Sequence, residues 1–320
     1  MKQVVITEEI HPAGMALLQA RPDINLVCLE GDAGALPAAL TDAHGVLVRT
    51  MFLPEADLSR ATQLQVVSRH GVGCDNIAVE HLSSRGIPMA IAVNANTTSV
   101  VEHVLMMMLA LNKRAFEYDQ LTRNHQFSER CKRPTSELCD KHILIVGFGR
   151  IGKRVAPVCR ALGMRVTVAD IALDEQYATA LGCNAVSDFH TVLPDADYVT
   201  VHVPLNASTT HLIGKSELAA LPAHAIVINC ARGGIVDEDA LAQALGDGSI
   251  AAAGCDVFTT EPPATTNPLL KLPNALLTPH NAASTAEGLE RMATFAAQNL
   301  LDGLDGKLNP EMLFNRDQLA

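Results

Sequence analysis

The sequence predicts an α/β fold with two doubly wound parallel sheets, and three observations carry that reading. Short apolar runs alternate with helix-like segments from the first residues, the alternation lapses across 112–142, and it restarts at Lys141 with stronger apolar runs. A chain of 320 residues, 48% of them hydrophobic, has enough apolar material for two packed cores.

In the first part, 3–7, 24–29, 45–50, 64–68 and 88–92 read as strands, because each is a brief continuous apolar run bounded by turn or polar residues. Between them 11–20, 35–42, 54–61 and 76–85 carry apolar residues at helical spacing, which makes a first α/β unit of 1–95. A longer helix follows, capped by Thr97, Thr98 or Ser99, with Val100, Val101, Val104, Leu105, Met108 and Leu111 on its apolar face. Met106, Met107 and Met108 read as core packing. Residues 113–154 then hold 10 basic residues (Lys113, Arg114, Arg123, Arg130, Lys132, Arg133, Lys141, Arg150, Lys153 and Arg154) against 5 acidic ones, either a solvated linker or a wall that steers an anion. From there 143–147, 165–170, 198–203, 225–230, 251–257 and 275–278 read as six strands of a second sheet, within a domain of 96–285. The helical stretch 285–301 and the tail 302–320 are too short to fold alone, so 286–320 is expected to complete the first unit.

Charge and cysteine usage narrow the class. With 24 Lys and Arg against 35 Asp and Glu, the formal charge of −11 argues against nonspecific nucleic-acid binding and favours a small-molecule protein. The longest apolar run, 100–111, is interrupted by Glu102 and His103 and falls short of the roughly 20 residues a bilayer span requires, so no membrane contact is expected. The chain opens into a strand with no signal-peptide pattern, which reads as cytoplasmic. Cysteines at 28, 74, 131, 139, 159, 183, 230 and 255 are too scattered for zinc ribbons or redox pairs, and no metal site is expected.

Gly147-Phe148-Gly149-Arg150-Ile151-Gly152 sets G-x-G-x-x-G between a buried strand and a helix. The first glycine permits the tight turn, the second lets backbone approach a pyrophosphate, and the third lets helix and sheet pack closely, with the helix N-terminus toward the phosphates. Asp170 ends the next strand, 18 residues past Gly152, where a carboxylate accepts from ribose hydroxyls and repels a 2′-phosphate. Ile171 and Ala172 offer no cation for that phosphate, so NAD is expected over NADP. Pro157, about a turn into the following helix, should bend it or sit where the lost N–H matters little.

Three polar residues stand beyond the carboxyl ends of later strands, where ligands bind in open α/β sheets: Arg232, Glu261 and His280. Reduction of a 2-oxo acid needs a hydride donor, a proton for the forming alkoxide and a cation for the carboxylate. His280 suits the proton, Glu261 would orient the ring and favour its charged form, and Arg232 supplies a fixed fork.

These residues sit in motifs that resemble the D-isomer-specific 2-hydroxyacid dehydrogenase family: Gly147 to Gly152, Asn229 to Glu238, Asp256-Val257-Phe258 with Glu261-Pro262, and Thr278-Pro279-His280. The resemblance runs in order along essentially the whole chain. It implies Arg232 as the substrate anchor, Glu261 as the partner of His280, and His280 as the acid/base. It further implies that Arg150, Ile151, Val203, Pro204, Cys230, Ala231, Asp256, His280 and Ala282 lie along NAD, Asp256 holding the nicotinamide carboxamide. Cys230 is not expected to act as a nucleophile, since the family uses no thiol. A split substrate domain, hinged to the NAD domain by the helices after Asn96 and Ser284, and a homodimer built on the NAD domains are implied as well.

In the N-terminal part, Gly71, Val72 and Gly73 resemble the family segment whose amides cradle the substrate carboxylate, a nest of N–H groups. Arg49 and Arg69 sit where phosphoglycerate dehydrogenases have phosphate-binding arginines, which suggests a second anionic group on the substrate, such as phosphate, sulfonate or carboxylate; interdomain salt bridges are the competing reading. No residues beyond 320 remain for a C-terminal regulatory domain, so serine feedback is not expected. Two features depart from the family pattern: Asn281-Ala282-Ala283-Ser284 is less glycine-rich than usual, and Gly233-Gly234 suggests a loose turn after Arg232. The expected function is NAD-dependent hydride transfer to or from a small 2-oxo or D-2-hydroxy acid of the phosphoglycerate, hydroxypyruvate or glyoxylate kind. The alternative is an NAD-sensing corepressor-like binding module on the same fold.

Overall fold

The structure, a computed structural model, describes residues 1–132 and 134–319. Arg133 of the basic stretch and Ala320 of the tail lie outside the described residues. The chain divides into two compact units, 1–96 with 284–320 and 97–283. The sequence reading set its boundaries at 1–95 with 286–320 and at 96–285.

In the first unit β1 (Lys2–Ile6), β2 (Ile24–Cys28), β3 (Ala43–Val48), β4 (Val66–Arg69) and β5 (Met89–Ile91) form a wholly parallel sheet in the order β2-β1-β3-β4-β5. Four helices connect them: α1 (Pro12–Gln19), α2 (Leu36–Leu40), α3 (Glu55–Leu58) and α4 (Val79–Ser84). The apolar runs are continuous because both faces are covered. Val5, Val46 and Val67 point into one cluster with Leu40 and Leu58, while Val4, Ile6, Leu47 and Val66 point into another. The second cluster is closed by the helix Ala286–Leu304, whose Ala293, Ala296, Ala297, Leu300 and Leu304 lie against the sheet. Thr285 caps that helix by accepting from the Gly288 amide at 3.0 Å. The tail fixes the β5 edge: Phe314 N donates to Met89 O at 2.8 Å, and buried Asn315 accepts from Met89 N and donates to Ile87 O.

Among the described residues the second unit holds seven parallel strands, β6 (His142–Val146), β7 (Arg165–Ala169), β8 (Asn184–Val186), β9 (Tyr198–Val201), β10 (Ile226–Asn229), β11 (Ala252–Cys255) and β12 (Ala275–Leu277), in the order β12-β11-β10-β9-β6-β7-β8. The sequence showed six. β8 was missed because its three residues form an exposed or half-buried edge with no apolar run to mark it. The order reverses between β6 and β9, and that switch point is where open α/β sheets leave a crevice at their strand ends.

Helices α5 (Thr97–Asn112), α6 (Ala115–Arg123), α7 (Gly152–Ala161), α8 (Glu175–Ala180), α9 (Lys215–Ala220) and α10 (Glu238–Gly246) complete the unit. On α5, Val100, Val101, Val104, Met107 and Met108 are buried with Ile143, Ile145 and Ile228, while Met106 is partly exposed; two of the three methionines are core. Pro157 lies inside α7, which runs on through it.

The 112–142 stretch contains a helix the sequence did not suggest, α6, which buries none of its residues. Its cations are largely answered locally, Arg114 by Glu117 at 2.6 Å, Arg123 by Asp119 and Lys132 by Glu129 at 2.7 Å each. That is the signature of a solvated surface element, and it argues against a steering wall. Among the described residues, no helix is long and apolar enough to cross a membrane.

Candidate active site

Strands β10, β11 and β12 are neighbours in the second sheet and parallel, so the three loops leaving their carboxyl ends emerge side by side. Those loops carry Arg232, Glu261 and His280. His280 Nδ1 lies 2.7 Å from Glu261 Oε2, and the other carboxylate oxygen, Oε1, accepts from the Phe258 amide at 3.0 Å. The ring is thereby oriented through Nδ1, which leaves Nε2 to exchange a proton.

Burial pushes the Glu261 carboxyl up. The hydrogen bond with His280, the Phe258 amide, and the charges of His280 and Arg232 outweigh that and hold it below the ordinary glutamate value. The Arg232 charge therefore acts on the same carboxylate. Stability tied to this shift is present above the ordinary glutamate range and is lost as pH falls through the lowered value.

Each loop is set by local chemistry. Buried Asn229 folds the turn to Arg232, accepting from the Ala231 amide at 3.0 Å and donating to Arg232 O at 2.8 Å. Arg232 Nη1 also donates to Ala231 O at 2.7 Å. The glycine pair makes this turn tight, contrary to the loose turn its sequence suggested. A Cβ on Gly233 would lie 1.9 Å from Phe258 O and 2.4 Å from Thr259 N, so the Arg232 loop and the loop to Glu261 touch backbone to backbone. Glu238 then clamps the second loop, accepting from the Thr259 amide, from its hydroxyl at 2.7 Å, and from Asn267 Nδ2 at 2.7 Å. His280 has a left-handed backbone, φ 49°, and its amide donates to Asp256 O at 2.7 Å.

Sequence reasoning assigned no role to Asn229, Glu238 or Thr278, although all three stand inside the motifs it quoted. Asp256, linked by the resemblance to the nicotinamide, is fully buried, and both carboxylate oxygens accept from the His280 loop: Thr278 Oγ1, Asn281 N and Ala282 N. Cys230 is buried with its thiol 3.7 Å from the Met107 sulfur, and burial, then the neighbouring Asp256 and Cys255, push that thiol well above its ordinary value. Such a thiol is inert.

At the switch point, a Cβ on Gly152 would meet Gly147 O at 2.1 Å and one on Gly147 would meet His202 C at 2.6 Å, so both glycines are required by close approach. Over Gly149 a Cβ would meet nothing within 4 Å. Ile151 precedes α7 without a side-chain cap, and the strand-to-helix turn is thus an open cradle of backbone at a positive helix end, which fits a pyrophosphate. Val203 and Pro204 follow β9 across the same crevice. Asp170 accepts from the Phe148 amide at 2.6 Å and the Ala172 amide at 2.9 Å, which fixes it at the end of β7. The sequence reading found no cation in the residues after Asp170; Lys153 Nζ lies 5.9 Å from the Phe148 ring centre and 5.0 Å from that of Tyr177.

In the first unit, Arg69 grips its own loop, Nη1 donating to His70 O at 2.6 Å and Nε to Gly73 O at 2.8 Å. The Gly71 amide donates to Arg69 O at 2.9 Å, so one of the three expected nest amides is already engaged. Arg49 Nη1 donates to Glu9 O at 3.2 Å. His70 is pushed down to about 4, first by burial and then by the charges of Arg49 and Arg69. The loop beginning at Arg49 is tied by Glu8, whose carboxylate accepts from the amides of Arg49, Thr50 and Met51.

Residues 105–282 match the family described as D-isomer specific 2-hydroxyacid dehydrogenase, NAD binding domain. The chain is 34% identical over 309 residues to a D-3-phosphoglycerate dehydrogenase of Methanocaldococcus jannaschii, covering 96% of this chain and 58% of that protein. It is 38% identical to one from Bacillus subtilis with the same coverage. The chain thus spans somewhat more than half the length of these curated relatives. Among solved structures it is similar to a D-lactate dehydrogenase from Aquifex aeolicus complexed with NAD and lactic acid, with a TM-score of 0.86, 27% identity and 96% of both chains covered. It is also similar to an NADPH-dependent glyoxylate/hydroxypyruvate reductase from Sinorhizobium meliloti in complex with NADP and malonate, with a TM-score of 0.84, 28% identity, and 94% and 93% covered.

Proposed function

Since the chain belongs to the D-isomer specific 2-hydroxyacid dehydrogenase family, we propose that it is an NAD-dependent oxidoreductase that interconverts a small 2-oxo acid and its D-2-hydroxy acid. The observation that carries this reading is the 2.7 Å pair of His280 and Glu261 at neighbouring strand ends, with Arg232 acting on the same carboxylate. Bound nicotinamide would supply or take up the hydride. His280 Nε2 gives the proton to the forming alkoxide, Glu261 keeps the ring oriented, and Arg232 anchors the substrate carboxylate through its fixed fork. Gly147, Gly149, Arg150, Ile151 and Gly152 take the pyrophosphate, Asp170 the adenosine ribose, and Val203, Pro204, Cys230, Ala231 and Ala282 line the rest of the cofactor.

We assign the substrate's anionic groups to Val72, Gly73, Arg49 and Arg69 as well, which favours a substrate with a second charge. The test is NADH oxidation with glyoxylate, hydroxypyruvate, phosphohydroxypyruvate, sulfopyruvate and 2-oxoglutarate, each repeated with NADPH. Turnover of one doubly charged acid with NADH supports the assignment. Tight NADH binding with no turnover of any acid moves the reading to a binding module.

Glu261→Gln has a defined pH signature. Above the lowered Glu261 value the carboxylate is charged and orients the ring, so reduction in Glu261→Gln is expected to fall by roughly tenfold there and to converge on wild type as pH falls through that value. A profile of unchanged shape would remove Glu261 from the mechanism.

A homodimer of cytoplasmic chains completes the proposal. Met106 (38% exposed), Leu109 (39%), Phe116 (61%) and Phe127 (64%) leave an apolar surface along α5, α6 and the following turn, beside a pocket of about 470 Å³ lined by Tyr118, Leu121 and Cys131. Light scattering should give about twice the 34.0 kDa chain mass, and Phe116→Asp should shift it toward one chain. A monomeric wild type would refute the dimer.

A further inference from the structure

The loop that carries His280 is held by a partly buried polar chain that starts on α5. Asp256 is 0% exposed, and its carboxylate is shared among groups of that loop. Oδ1 accepts from the Thr278 hydroxyl at 2.6 Å and the Asn281 amide at 2.9 Å, and Oδ2 accepts from the Ala282 amide at 2.9 Å. From the neighbouring helix His103 Nε2 reaches Thr278 Oγ1 at 3.0 Å and lies 3.6 Å from Asp256 Oδ1.

The direction of this chain follows from proton counting. A hydroxyl has one proton, and Thr278 gives its proton to Asp256, so toward His103 its oxygen accepts and His103 carries hydrogen on Nε2. The sequence runs from the His103 N–H to Thr278, from the Thr278 O–H to Asp256, with the amides of Asn281 and Ala282 closing on the same carboxylate. Asp256 also accepts the His280 amide through its backbone carbonyl, at 2.7 Å. Residue 280 is thus fastened on both sides while its own backbone sits at φ 49°, a region that a non-glycine residue keeps only when its surroundings enforce it.

We infer that His103 is a positioning residue for His280, acting through Thr278 and Asp256 to hold the acid/base at its working place. The inference rests on the proposed reduction of 2-oxo acids for its kinetic consequence, and on geometry alone for its structural one. A leucine at 103 fills similar space with no donor, whereas glutamine retains an N–H of comparable reach.

Both consequences are read on the full chain with His103→Leu, His103→Gln and Thr278→Val. Hydrogen exchange at the Asn281 and Ala282 amides is expected to accelerate by about tenfold or more in His103→Leu and Thr278→Val, with the β6 amides unchanged, and to stay within about threefold of wild type in His103→Gln. Against the acid that wild type reduces, kcat is expected to fall between about 10- and 100-fold in the first two variants, with KM and the NADH dissociation constant within about threefold, and to recover in His103→Gln. If the leucine variant fails to fold, Thr278→Val cuts the same chain from the other side.

Wild-type exchange at 281 and 282 in the leucine and valine variants overturns the inference. So does faster exchange with an unchanged kcat, or a loss of kcat that follows melting temperature equally in the glutamine variant. A wild type that reduces none of the acids refutes the proposed function, and the exchange arm still decides whether His103 holds the loop.

Discussion

Replacing His280 with alanine is expected to lower kcat/KM for 2-oxo acid reduction by about 1,000-fold, the middle of the range for loss of a positioned general acid, or roughly 4 kcal/mol of transition-state stabilisation. The size follows from how completely the ring is committed. Nδ1 is taken by Glu261 at 2.7 Å, the backbone amide by Asp256, and Nε2 is left for the alkoxide. NADH affinity should stay within about threefold, because the phosphate cradle at Gly147 to Gly152 lies on another part of the sheet. Steady-state kinetics with a fluorescence titration of NADH separates the two, and retention of more than a tenth of wild-type kcat/KM would sink the assignment.

Gly233→Ala should have the largest effect of any single methyl group in the second unit. The added carbon would stand 1.9 Å from Phe258 O, 2.0 Å from Phe258 C and 2.4 Å from Thr259 N, all of them backbone atoms that no rotamer change can move. Overpacking of this kind costs about 3 kcal/mol, and a melting temperature lower by on the order of 10 °C is expected. The same displacement separates the loops of Arg232 and Glu261, so folded protein should lose about 100-fold in kcat. Gly149→Ala is the internal control. Its methyl meets nothing within 4 Å, so it should leave the melt unchanged and weaken NADH binding. A Gly233→Ala protein that melts with wild type and turns over normally would show that the two loops do not depend on this close approach.

Strands buried on both faces leave continuous apolar runs, which is why Ile143 to Val146 and Val66 to Ser68 were legible in the sequence, as was the return of 286–320 to the first unit. β8 was not, because an edge strand of three residues needs no such run. Nor was α6, a helix without a buried face, which carries no periodic apolar signal. At the site, Arg232, Glu261 and His280 stood out as polar residues at strand ends. The groups that hold them escaped notice because their partners are either backbone of a single turn or residues far along the chain that only the fold brings close. Asn229 bonds within its own turn, Glu238 reaches 21 residues onward to Thr259, and His103 reaches 175 residues onward to Thr278. In sequence His103 looked only like an interruption of an apolar helix, and nothing there showed that the Arg69 guanidinium also braces its own loop through the carbonyls of His70 and Gly73.

The return of the helix Ala286–Leu304 to the first sheet also sets an order of birth. The second unit is one continuous stretch, 97–283, and can close its core as soon as that stretch has left the ribosome. The first sheet is translated earlier yet lacks the Ala293, Ala296 and Leu300 side chains that cover Val4, Leu47 and Val66. At about 5–20 residues per second it waits roughly 10 to 40 s for them. During that interval one apolar face is open to other nascent chains and to chaperones, so the part made first is the part finished last.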